Sequence, residues 1–494
     1  MSNTFLNHSL NQDISDLKIL GLTEDSRRVE PGFLFAALPG ATADGRAFIA
    51  AAVSRGAVAI LAPTGTVVDP VVLGRARLIT SDDPRHVFAL LAARFHAPQP
   101  ETVVAVTGTN GKTSVCSFAR QLWTQLGHAG ASIGTLGVMA PDQVLPGGLT
   151  TPDPVKLHAT MADLARRGIA HLAMEASSHG LDQRRLDGVR IAAAAFTNLT
   201  RDHLDYHTDM DHYLAAKRRL FAELLPAGAT AVLNADDPMF AELKDACDIA
   251  DLSVIAYGAT GMEIRLMDSS STATGQVLVI RVLGREHSLH LPLAGRFQAM
   301  NALCALGLVL ATGGEPQASV EAIRHLEGVP GRLQRVATRA GGAPVYVDYA
   351  HTPDALETVR TALRPHPRRH LSLVFGCGGD RDRGKRPQMG AIAHRLADLA
   401  IVTDDNPRSE DPAAIRREIL SACPGAREIA DRATAIQEAI SELGSDDVLV
   451  IAGKGHERGQ IVGSIVYPFD DAEASRDAIA ILEHGAKLER GSSS

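Results

Sequence analysis

The sequence predicts an α/β protein whose parallel sheets are covered by helices on both faces. Short apolar runs alternate with segments of helical length along nearly the whole chain. Strands that are apolar along their length are typical of parallel sheets buried on both sides. The composition agrees, because 45% of the 494 residues are hydrophobic and 44 are glycine. A chain of this length exceeds one ordinary core, so we expect several domains.

Residues 1–97 form the first predicted domain, a smaller N-terminal α/β unit. The runs GFLFAAL, AVAILA and ARLITS are predicted strands, and HVFALLAARFH has the pattern of a helix. The segment HAPQPET (96–102), with its two prolines, marks the domain edge.

Residues 98–335 form the central predicted domain, whose parallel sheet is of the P-loop ATPase type. It begins with the strand TVVAVT, a short glycine loop and the helix KTSVCSFARQLWTQLG. Further predicted strands are HLAMEAS, AAAAFTN and TAVLNAD. A glycine loop between a strand and a helix directs backbone N–H groups at phosphate and adds the positive end of the helix dipole.

Residues 336–494 form the third predicted domain, a Rossmann-like unit. The Gly- and Pro-rich stretch EGVPGRLQRVATRAGGAPV (327–345) leads into it, and the predicted strands are PVYVDYA, HLSLVFG, LAIVTDD and DVLVIAG. Ligands of such sheets bind beyond the carboxyl ends of the strands. We therefore expect the functional residues in the loops that follow these strands.

The loop TGTNGKTS is shorter than the standard phosphate-binding pattern, because Val106 stands where the first glycine of G-x-x-x-x-G-K-[ST] is expected. Gly108 and Gly111 would allow a tight turn. Lys112 would reach the outer phosphates, and Thr113 offers a hydroxyl to magnesium. A simple glycine turn with a solvated lysine is the alternative. The order of strand, glycines, Lys-Thr and helix favours nucleotide binding over that alternative.

A carboxylate at the end of a neighbouring strand would complete a magnesium site, because magnesium prefers oxygen ligands. Glu175 ends the predicted strand HLAMEAS and precedes small residues, although a solvated loop acid would look the same. His203 and His207, in NLTRDHLDYH, follow another strand. The residues alone leave a structural and a functional role equally open for these histidines.

Composition and termini argue against several classes of function. The formal net charge of -8 and the lack of a long basic run disfavour nucleic-acid binding. The five cysteines have no C-x-x-C spacing, which fits a reducing compartment and offers no cysteine metal site. The amino terminus lacks the layout of a signal peptide, and the longest apolar stretch is interrupted before it could span a bilayer. We expect a cytoplasmic protein without nucleic-acid or membrane partners.

Ten short motifs, in this order along the chain, resemble those of the Mur ligase family. They are TGTNGKTS, MEASSHGLDQRR, NLTRDHLDYH, AAKRRLF, GRFQAMNA, PGRLQRV, DYAHTPDAL, GCGGDRDRGKRPQMG, DDNPRSEDP and AGKGHE. The resemblance spans nearly the whole chain, including TEDSRRVEPGFLFAALPGATADGR in the first segment. One such motif would be weak evidence, whereas ten in register are specific.

The resemblance implies an ATP-dependent ligase of peptidoglycan precursor synthesis. Such an enzyme would add meso-2,6-diaminopimelate to the D-glutamate of UDP-N-acetylmuramoyl-L-alanyl-D-glutamate. The γ-phosphoryl group of ATP would convert the side-chain carboxylate of D-glutamate into an acyl phosphate, which the amine of diaminopimelate then attacks. This chemistry needs positioning and charge neutralisation more than a protein nucleophile.

The same resemblance implies catalytic, metal and nucleotide roles. The catalytic residues would be Lys112, Glu175, His203 and Lys217. Thr113 and Glu175 would hold one magnesium ion. His203 would hold a second together with Lys217, which would carry carbon dioxide as a carbamate. From the residues alone, Lys217 with its two following arginines is predicted to lie on a solvated helix face. ATP would contact Gly108, Thr109, Asn110, Gly111, Lys112, Thr113, Ser114, Asn301, Arg332 and Asp348.

Two further sets of residues follow from the resemblance. The UDP-muramoyl dipeptide would contact Glu24, Ser26, Ala41, Thr42, Ala43, Thr150, Thr151, Ser177, Gln183 and Arg185. Diaminopimelate would contact Arg381, Asp405, Asn406, Pro407, Arg408, Gly453 and Glu457. Arg408 would decide the choice of amino acid, because its planar guanidinium suits the distal carboxylate that lysine lacks.

Three other functions are weighed against this one. Lysine-adding Mur ligases lack the arginine at the place of Arg408. A ligase similar to folylpolyglutamate synthase would share the loop and the modified lysine, but not the amino-terminal domain or the D-N-P-R motif. A nucleotide-binding switch without chemistry would have no need of substrate motifs spread over three domains.

Overall fold

The structure is a computed structural model that describes residues 17–40, 43–203, 206–272, 274–363 and 370–491. Strands and helices alternate along the chain and group into two units. The first unit comprises residues 1–266, 281–285 and 301–322. The second unit comprises residues 267–280, 286–300 and 323–494.

The first sheet of the chain is wholly parallel, with its four strands side by side in chain order. They are β1 Gly21–Thr23, β2 Phe33–Ala36, β3 Ala59–Pro63 and β4 Arg77–Ser81. The accompanying helices are α1 Ile49–Ser54, α2 Pro70–Leu73 and α3 Pro84–Phe95. Helix α3 begins sharply because the Asp83 side chain accepts a hydrogen bond from His86 N and Pro84 occupies the first helical position.

The central strands of the first unit have the order β12-β11-β10-β5-β9-β6-β7-β8. Their bounds are β5 Thr102–Thr107, β6 Gly130–Gly134, β7 Gly137–Ala140, β8 Gln143–Leu145, β9 His171–Glu175, β10 Ile191–Phe196, β11 Thr230–Asn234 and β12 Ser253–Gly258. Strand β5 lies between β9 and β10, and both neighbours run parallel to it. The loops that follow these three strands therefore meet at one edge of the sheet.

Helices of this part of the chain are α4 Lys112–Gln125, α5 Pro154–Arg166, α6 Ser178–Asp182, α7 Met210–Arg219, α8 Phe240–Ile249, α9 Arg296–Ala311 and α10 Pro316–Ala322. A π-helical turn, Leu220–Leu224, directly follows α7. Such turns are often found beside functional sites. Three more strands follow β12 along the chain, β13 Ile264–Thr272, β14 Gly275–Val282 and β15 Arg285–Leu291.

The six-stranded sheet of the second unit has the order β16-β17-β21-β18-β19-β20. Its strands are β16 Gln334–Thr338, β17 Pro344–Asp348, β18 Leu371–Phe375, β19 Leu399–Val402, β20 Arg427–Glu428 and β21 Val448–Ala452. Helices are α11 Pro353–Leu363, α12 Lys385–Leu396, α13 Pro412–Leu420, α14 Arg432–Ser441 and α15 Asp471–Gly491. A hairpin of β22 Gly459–Val462 and β23 Ile465–Pro468 follows β21. Strand β21 lies between β17 and β18, so the chain changes direction across the sheet there, which is where such folds bind ligands.

The predicted strands are confirmed, and the prediction of wholly parallel sheets is incomplete. Strands β6, β7 and β8 pair antiparallel, as do β16 with β17 and the β22–β23 hairpin. The domain edges predicted at residues 97 and 335 stay predictions; the sheets change between Ser81 and Thr102, and the six-stranded sheet begins at Gln334. No helix within the described ranges is both long and apolar enough to cross a membrane.

Candidate active site

The phosphate loop joins β5 to α4 and is shaped by two glycines with positive φ. Gly108 has φ 142° and Gly111 has φ 89°. A Cβ atom on Gly111 would lie 2.5 Å from Asn301 Oδ1, so space as well as backbone conformation requires glycine there. Asn301 is 7% exposed and packs against the loop. The structure thus places one predicted nucleotide contact beside the predicted loop.

The segment that follows β10 holds this loop in place. Asn198 Oδ1 accepts a hydrogen bond from Asn110 N at 2.9 Å, and its backbone carbonyl accepts one from Thr109 N at 2.8 Å. Thr197 Oγ1 donates to Asn110 O at 2.6 Å. Thr197 and Asn198 were not predicted as site residues, although the NLT of the motif NLTRDHLDYH contains Asn198. Their bonds fix the loop conformation from a strand end far along the chain.

The first turn of α4 carries the Lys-Thr pair of the loop. Lys112 Nζ donates to Gly108 O and to Thr109 O, both at 2.9 Å, so the side chain lies across its own loop. Thr113 and Ser114 are buried beneath the loop. A lysine and a hydroxyl at the positive end of a helix are the groups that triphosphate and magnesium require.

Lys217 is buried, and the prediction of a solvated helix face, made from the residues alone, is wrong. The side chain is 1% exposed, and Nζ donates to Gly108 O at 2.9 Å. It also lies 4.1 Å from the ring centroid of Tyr213. Burial lowers the pKa of Lys217 well below its ordinary value; the charge of Lys112 lowers it further, and Asp202 opposes the shift. The uncharged amine is therefore favoured at this position.

Glu175 ends β9 and is 2% exposed. Its Oε1 accepts a hydrogen bond from Thr135 N at 2.8 Å, and its Oε2 accepts one from Thr135 Oγ1 at 3.2 Å. Thr135, just beyond β6, was not predicted, because nothing in IGTLG marks it as a partner of a carboxylate 40 residues away. It orients the carboxylate while leaving lone pairs for a cation.

The two histidines of NLTRDHLDYH lie around Tyr213. The His203 ring centroid is 6.1 Å from that of Tyr213, and the His207 ring centroid is 5.1 Å from it. His207 is 5% exposed, and burial lowers its pKa. His203 has φ 55° and a more exposed side chain. His203 and Lys217 thus approach the same tyrosine ring, as a shared site requires.

The predicted magnesium ligands contribute few protein carboxylates and imidazoles. Within the described ranges, no group of three or more His, Cys, Asp or Glu side chains is arranged to hold a metal ion. The set of Thr113, Glu175 and His203 supplies a hydroxyl, a carboxylate and an imidazole. Such a sparse set suits magnesium that keeps waters and phosphate oxygens as its other ligands.

Four of the residues predicted to bind the UDP-muramoyl dipeptide form one hydrogen-bonded cluster. Thr151 Oγ1 donates to Glu175 O at 2.8 Å, and Ser177 Oγ donates to Thr151 Oγ1 at 3.0 Å. Arg185 donates to Thr151 O and to Gln183 Oε1, both at 2.7 Å. The cluster starts at the strand that carries the predicted metal carboxylate.

Thr150 connects the same cluster to the other side of Glu175. Its Oγ1 lies 3.2 Å from Thr135 Oγ1, which in turn donates to the Glu175 carboxylate. The substrate and metal predictions therefore converge on one region of the first unit.

Glu24 brings the amino-terminal part of the chain into range of this cluster. Desolvation raises the pKa of Glu24 and the Asp153 carboxylate adds to the rise, whereas Arg85 and Arg185 lower it. Arg185 belongs to the Thr151 cluster, so its charge links Glu24 to that cluster.

Two of the remaining predicted contacts of the UDP substrate, Ser26 and Ala43, lie outside the sheets of the first unit. Ser26 opens a short 3₁₀ turn, which the Asp25 side chain caps. Ala43 O accepts a hydrogen bond from Gly40 N at 3.0 Å. Ala41 and Thr42 lie outside the described residues.

In the second unit, Asp348 ends β17 beside Arg332. Burial raises the pKa of Asp348 to about 6, and the Arg332 charge opposes the rise. The carboxylate accepts hydrogen bonds from Leu333 N at 2.5 Å and Ala350 N at 2.7 Å. The Arg332 guanidinium lies 4.7 Å from the ring centroid of Tyr349. These two predicted nucleotide contacts are therefore neighbours.

Tyr349 was not predicted as a site residue, although it lies in the motif DYAHTPDAL. Its ring contacts Arg332 and His456. Burial raises its pKa, Glu457 and Asp405 add to the rise, and Arg332 and Arg381 oppose it. All four charged groups were predicted site residues. Of these four, the Arg332 guanidinium lies over the Tyr349 ring.

Asn406, Glu457 and an unpredicted lysine form a compact polar cluster. Asn406 Nδ2 donates to Glu457 Oε2 at 2.8 Å. Lys454 is fully buried, and its Nζ donates to Asn406 Oδ1 at 3.1 Å, to Glu457 Oε2 at 3.3 Å and to Gly459 O at 2.6 Å. The motif AGKGHE contains Lys454, but a lysine between glycines is ordinarily expected at the surface.

Arg408 has a constrained backbone and a tethered side chain. Its φ is 52°, its N–H donates to Ile461 O at 3.0 Å, and its carbonyl accepts from Gly463 N at 2.8 Å. Its Nη1 donates to Gly379 O at 2.7 Å. The guanidinium is thus bonded to the loop after β18, and the backbone of Arg408 is bonded to the hairpin that follows β21. Pro407 before it is buried.

Gly453 allows the two loops of this cluster to approach closely. It has φ 116°, and a Cβ atom added to it would lie 2.5 Å from Asp405 Oδ2. Any other residue would clash with the carboxylate and strain the backbone. The structure thus brings together the predicted set Asp405, Asn406, Pro407, Arg408, Gly453 and Glu457 on adjacent loops.

Three family descriptions match successive parts of the chain. The first, "Mur ligase family, catalytic domain", matches residues 18–96. "Mur ligase middle domain" matches residues 106–309, and "Mur ligase, glutamate ligase domain" matches residues 331–455.

Individual relatives extend over nearly the full length. UDP-N-acetylmuramoyl-L-alanyl-D-glutamate–2,6-diaminopimelate ligase of Caulobacter vibrioides is 55% identical over 471 residues, covering 94% of this chain and 96% of that protein. The ligase of the same name from Brucella melitensis is 53% identical over 476 residues, covering 96% and 97%. A solved structure of a ligase with this name has a TM-score of 0.71 at 35% identity, covering 94% and 96%. The chain belongs to the Mur ligase family.

Proposed function

We propose that this chain is an ATP-dependent ligase that adds meso-2,6-diaminopimelate to the D-glutamate of UDP-N-acetylmuramoyl-L-alanyl-D-glutamate in the cytoplasm. The observation that carries the proposal is the loop cluster around Arg408, where a tethered guanidinium accompanies the Asn406–Glu457 pair. The relatives that match over nearly the full length bear the name of this activity.

The first unit offers the groups that activate the substrate carboxylate. The loop N–H groups and Lys112 would bind the triphosphate, and Arg185 with Ser177 and Thr151 would orient the peptide. An oxygen of the D-glutamate carboxylate attacks the γ-phosphorus, and ADP leaves with the electrons of the broken P–O bond. The acyl phosphate then has a phosphate leaving group in place of oxide, which makes the carbonyl carbon open to attack by an amine.

Thr113 and Glu175 would hold one magnesium ion, and His203 would hold a second together with Lys217. The oxygen donors fit the ion, and Thr135 fixes the orientation of the Glu175 carboxylate. When bound, magnesium supplies charge neutralisation for the phosphate oxygens.

Lys217 would carry the carbamate. Its burial favours the uncharged amine, which is the form that attacks carbon dioxide; the new N–C bond forms and a proton is released. A carbamate would turn a cationic side chain into an anionic one beside Tyr213 and the phosphate loop. That change of sign is what a site for cations needs.

The second unit offers the groups that choose the amino acid. Arg408 would bind the distal carboxylate of diaminopimelate, and Glu457 the distal ammonium. Glu457 Oε2 already accepts from Asn406 and Lys454, which orients the carboxylate. Lysine presents the same ammonium without the carboxylate, so Arg408 alone would separate the two amino acids.

An amino-acid panel tests the proposal. Purified protein receives ATP, magnesium and the UDP-linked dipeptide, and phosphate release is followed with meso-diaminopimelate, L-lysine, L-glutamate or no amino acid. We expect release that requires both the dipeptide and diaminopimelate. Preference for lysine would identify the other Mur ligase specificity. In a parallel assay with a folate in place of the dipeptide, phosphate release that requires glutamate would support the synthase alternative. Release without an acceptor substrate or amino acid would indicate a nucleotide switch.

A further inference from the structure

A fully buried ion pair joins two helices of the second unit. Arg432 begins α14 and Asp471 begins α15, and both side chains are 0% exposed. Arg432 Nε donates to Asp471 Oδ1 at 2.7 Å, and Nη2 donates to Oδ2 at 2.8 Å. Burial lowers the pKa of Arg432, but Asp471, with Asp405 and Glu457, outweighs that effect, and the net shift is upwards. The pair is therefore bidentate and charged.

The same guanidinium also donates to two strand-end loops. Arg432 Nη2 donates to Ala452 O at 3.0 Å, and Nη1 donates to Asp404 O at 3.5 Å. Ala452 is the last residue of β21 and immediately precedes Gly453. Asp404 immediately precedes Asp405, whose carboxylate lies where a Gly453 Cβ would be. One side chain therefore spans the two loops that carry the proposed amino-acid contacts.

Stability alone is a weak reason for such a pair. Taking two charges out of water is costly, and well-packed apolar residues often replace a buried pair without loss of stability. An apolar replacement would, however, leave the Ala452 and Asp404 carbonyls without the donor that spans them. The distinctive contribution of arginine here is its planar fork, which serves a carboxylate and two carbonyls at once.

We propose that Arg432 is a positioning residue for the incoming amino acid. By fixing the Ala452 and Asp404 carbonyls, it sets the spacing between the loop of Gly453 and Glu457 and the loop of Asp405 to Arg408. Asp471 holds the guanidinium in the orientation that reaches both carbonyls. This inference rests on the proposed function, in which these two loops bind diaminopimelate.

The test separates the ion pair from the carbonyl bonds. In Arg432→Lys the charge beside Asp471 is kept, but the fork that reaches the carbonyls is lost. In Arg432→Met/Asp471→Met both charges are removed, so no unpaired buried charge remains. Arg427→Met is the control, because Arg427 forms partly exposed ion pairs with Glu438 of α14 and with Glu442 just after that helix. Steady-state kinetics give KM for diaminopimelate, ATP and the UDP-linked dipeptide, and thermal melts give Tm.

We expect Arg432→Lys and the double variant to raise KM for diaminopimelate by about 10- to 100-fold, because small displacements of binding groups have effects of this size. KM for ATP should stay unchanged, and the double variant should keep a Tm close to that of Arg432→Lys. The control should behave as the wild type. A wild-type KM for diaminopimelate in both variants would overturn the proposal. A parallel rise of all three KM values would also overturn it, since a general structural defect acts on every substrate.

The wild-type panel distinguishes failure of this inference from failure of the proposed function. If the wild type uses another amino acid, the function is wrong, and the KM for that amino acid in the same variants tests the positioning role. If the wild type uses diaminopimelate and both variants keep its KM, only the positioning role is wrong.

Discussion

The two units bury basic side chains in opposite ways. In the first unit, Lys217 Nζ donates to a backbone carbonyl and lies over a tyrosine ring. In the second, Arg432 meets Asp471 in a bidentate pair. Both side chains are almost completely buried. Yet the pKa of Lys217 falls well below its ordinary value, whereas that of Arg432 rises.

The difference shows that the hydrogen-bond acceptor determines whether a buried basic group stays charged. A carbonyl dipole compensates only part of the desolvation of a charge, so the neutral amine is favoured and becomes nucleophilic. A carboxylate compensates much more, so the guanidinium stays charged and serves to hold loops in place. We therefore interpret Lys217 as a residue that takes part in the chemistry and Arg432 as a residue that positions loops.

Removing the Lys217 side chain should have the largest effect on activity. We expect Lys217→Ala to lower kcat by about 1,000-fold, the scale for losing preorganised charge at a reacting centre. Formate or acetate should restore part of the rate, because a small carboxylate can replace the carbamate oxygens. The measurement is phosphate release with and without added acid.

Lys244→Ala is the matched control, because Lys244 is an exposed lysine paired with Asp248. It should keep full activity and show no response to the acids. Full activity in Lys217→Ala would mean that Lys217 has no role in the reaction.

Arg408→Ala should have the next largest effect. Leaving the distal carboxylate unpaired costs on the order of 2–5 kcal/mol, and the lower end applies because Arg408 is half-buried, which gives about 30- to 100-fold in kcat/KM. Lysine use should change little. Kinetics with both amino acids at saturating ATP check this. Equal losses for the two would mean that Arg408 supports the loop and does not bind the carboxylate.

Thr135→Val should have a smaller effect on the first unit. It removes the hydroxyl bond to Glu175 Oε2 and keeps the backbone bond to Oε1. A hydrogen bond to a charged group contributes about 1.5–3 kcal/mol, so we expect a loss of about tenfold in kcat. Magnesium titrations of activity should show a weaker apparent affinity. An unchanged magnesium dependence would contradict the orienting role of Thr135.

The pH dependence of Asp348 should give the smallest effect, in stability. Its pKa of about 6 lies above the ordinary 3.8, so the folded state binds the proton more strongly and gains stability as pH falls through 6. That contribution is lost as pH rises through 6. The Tm of wild type minus that of Asp348→Asn should therefore fall between pH 4 and pH 7, by on the order of 5 °C. A difference that is flat with pH would mean that Asp348 is not the titrating group.

Local patterns in the sequence were enough to predict the phosphate loop and eleven of the 23 strands among the described residues. The run TVVAVT forms β5, and the loop after it contains the two glycines with positive φ that the spacing indicated. Apolar runs and glycine turns depend on neighbours in sequence, which is why they could be recognised. The antiparallel β22–β23 hairpin was missed because its short strands are largely exposed and have no buried apolar face.

The buried polar residues could not be predicted from local pattern. Lys217 is buried by contact with Gly108, which is 109 positions away. Lys454 donates to Asn406, 48 positions away, and Arg432 donates to Ala452, 20 positions away. Average preferences place lysine and arginine at the surface, and only long-range contacts overturn that expectation. The family resemblance supplied Lys217, but it supplied neither Lys454 nor Arg432.

The left-handed backbone of Arg408 limits how this enzyme could be redesigned. With φ at 52° and both backbone groups bonded to the neighbouring hairpin, position 408 cannot relax to an ordinary conformation. Glycine, asparagine and aspartate adopt this conformation at little cost, whereas β-branched residues are outliers there. A library randomised at this codon and sorted for folded protein should therefore be enriched in those three residues and depleted of valine, isoleucine and threonine, whatever amino acid the selection rewards.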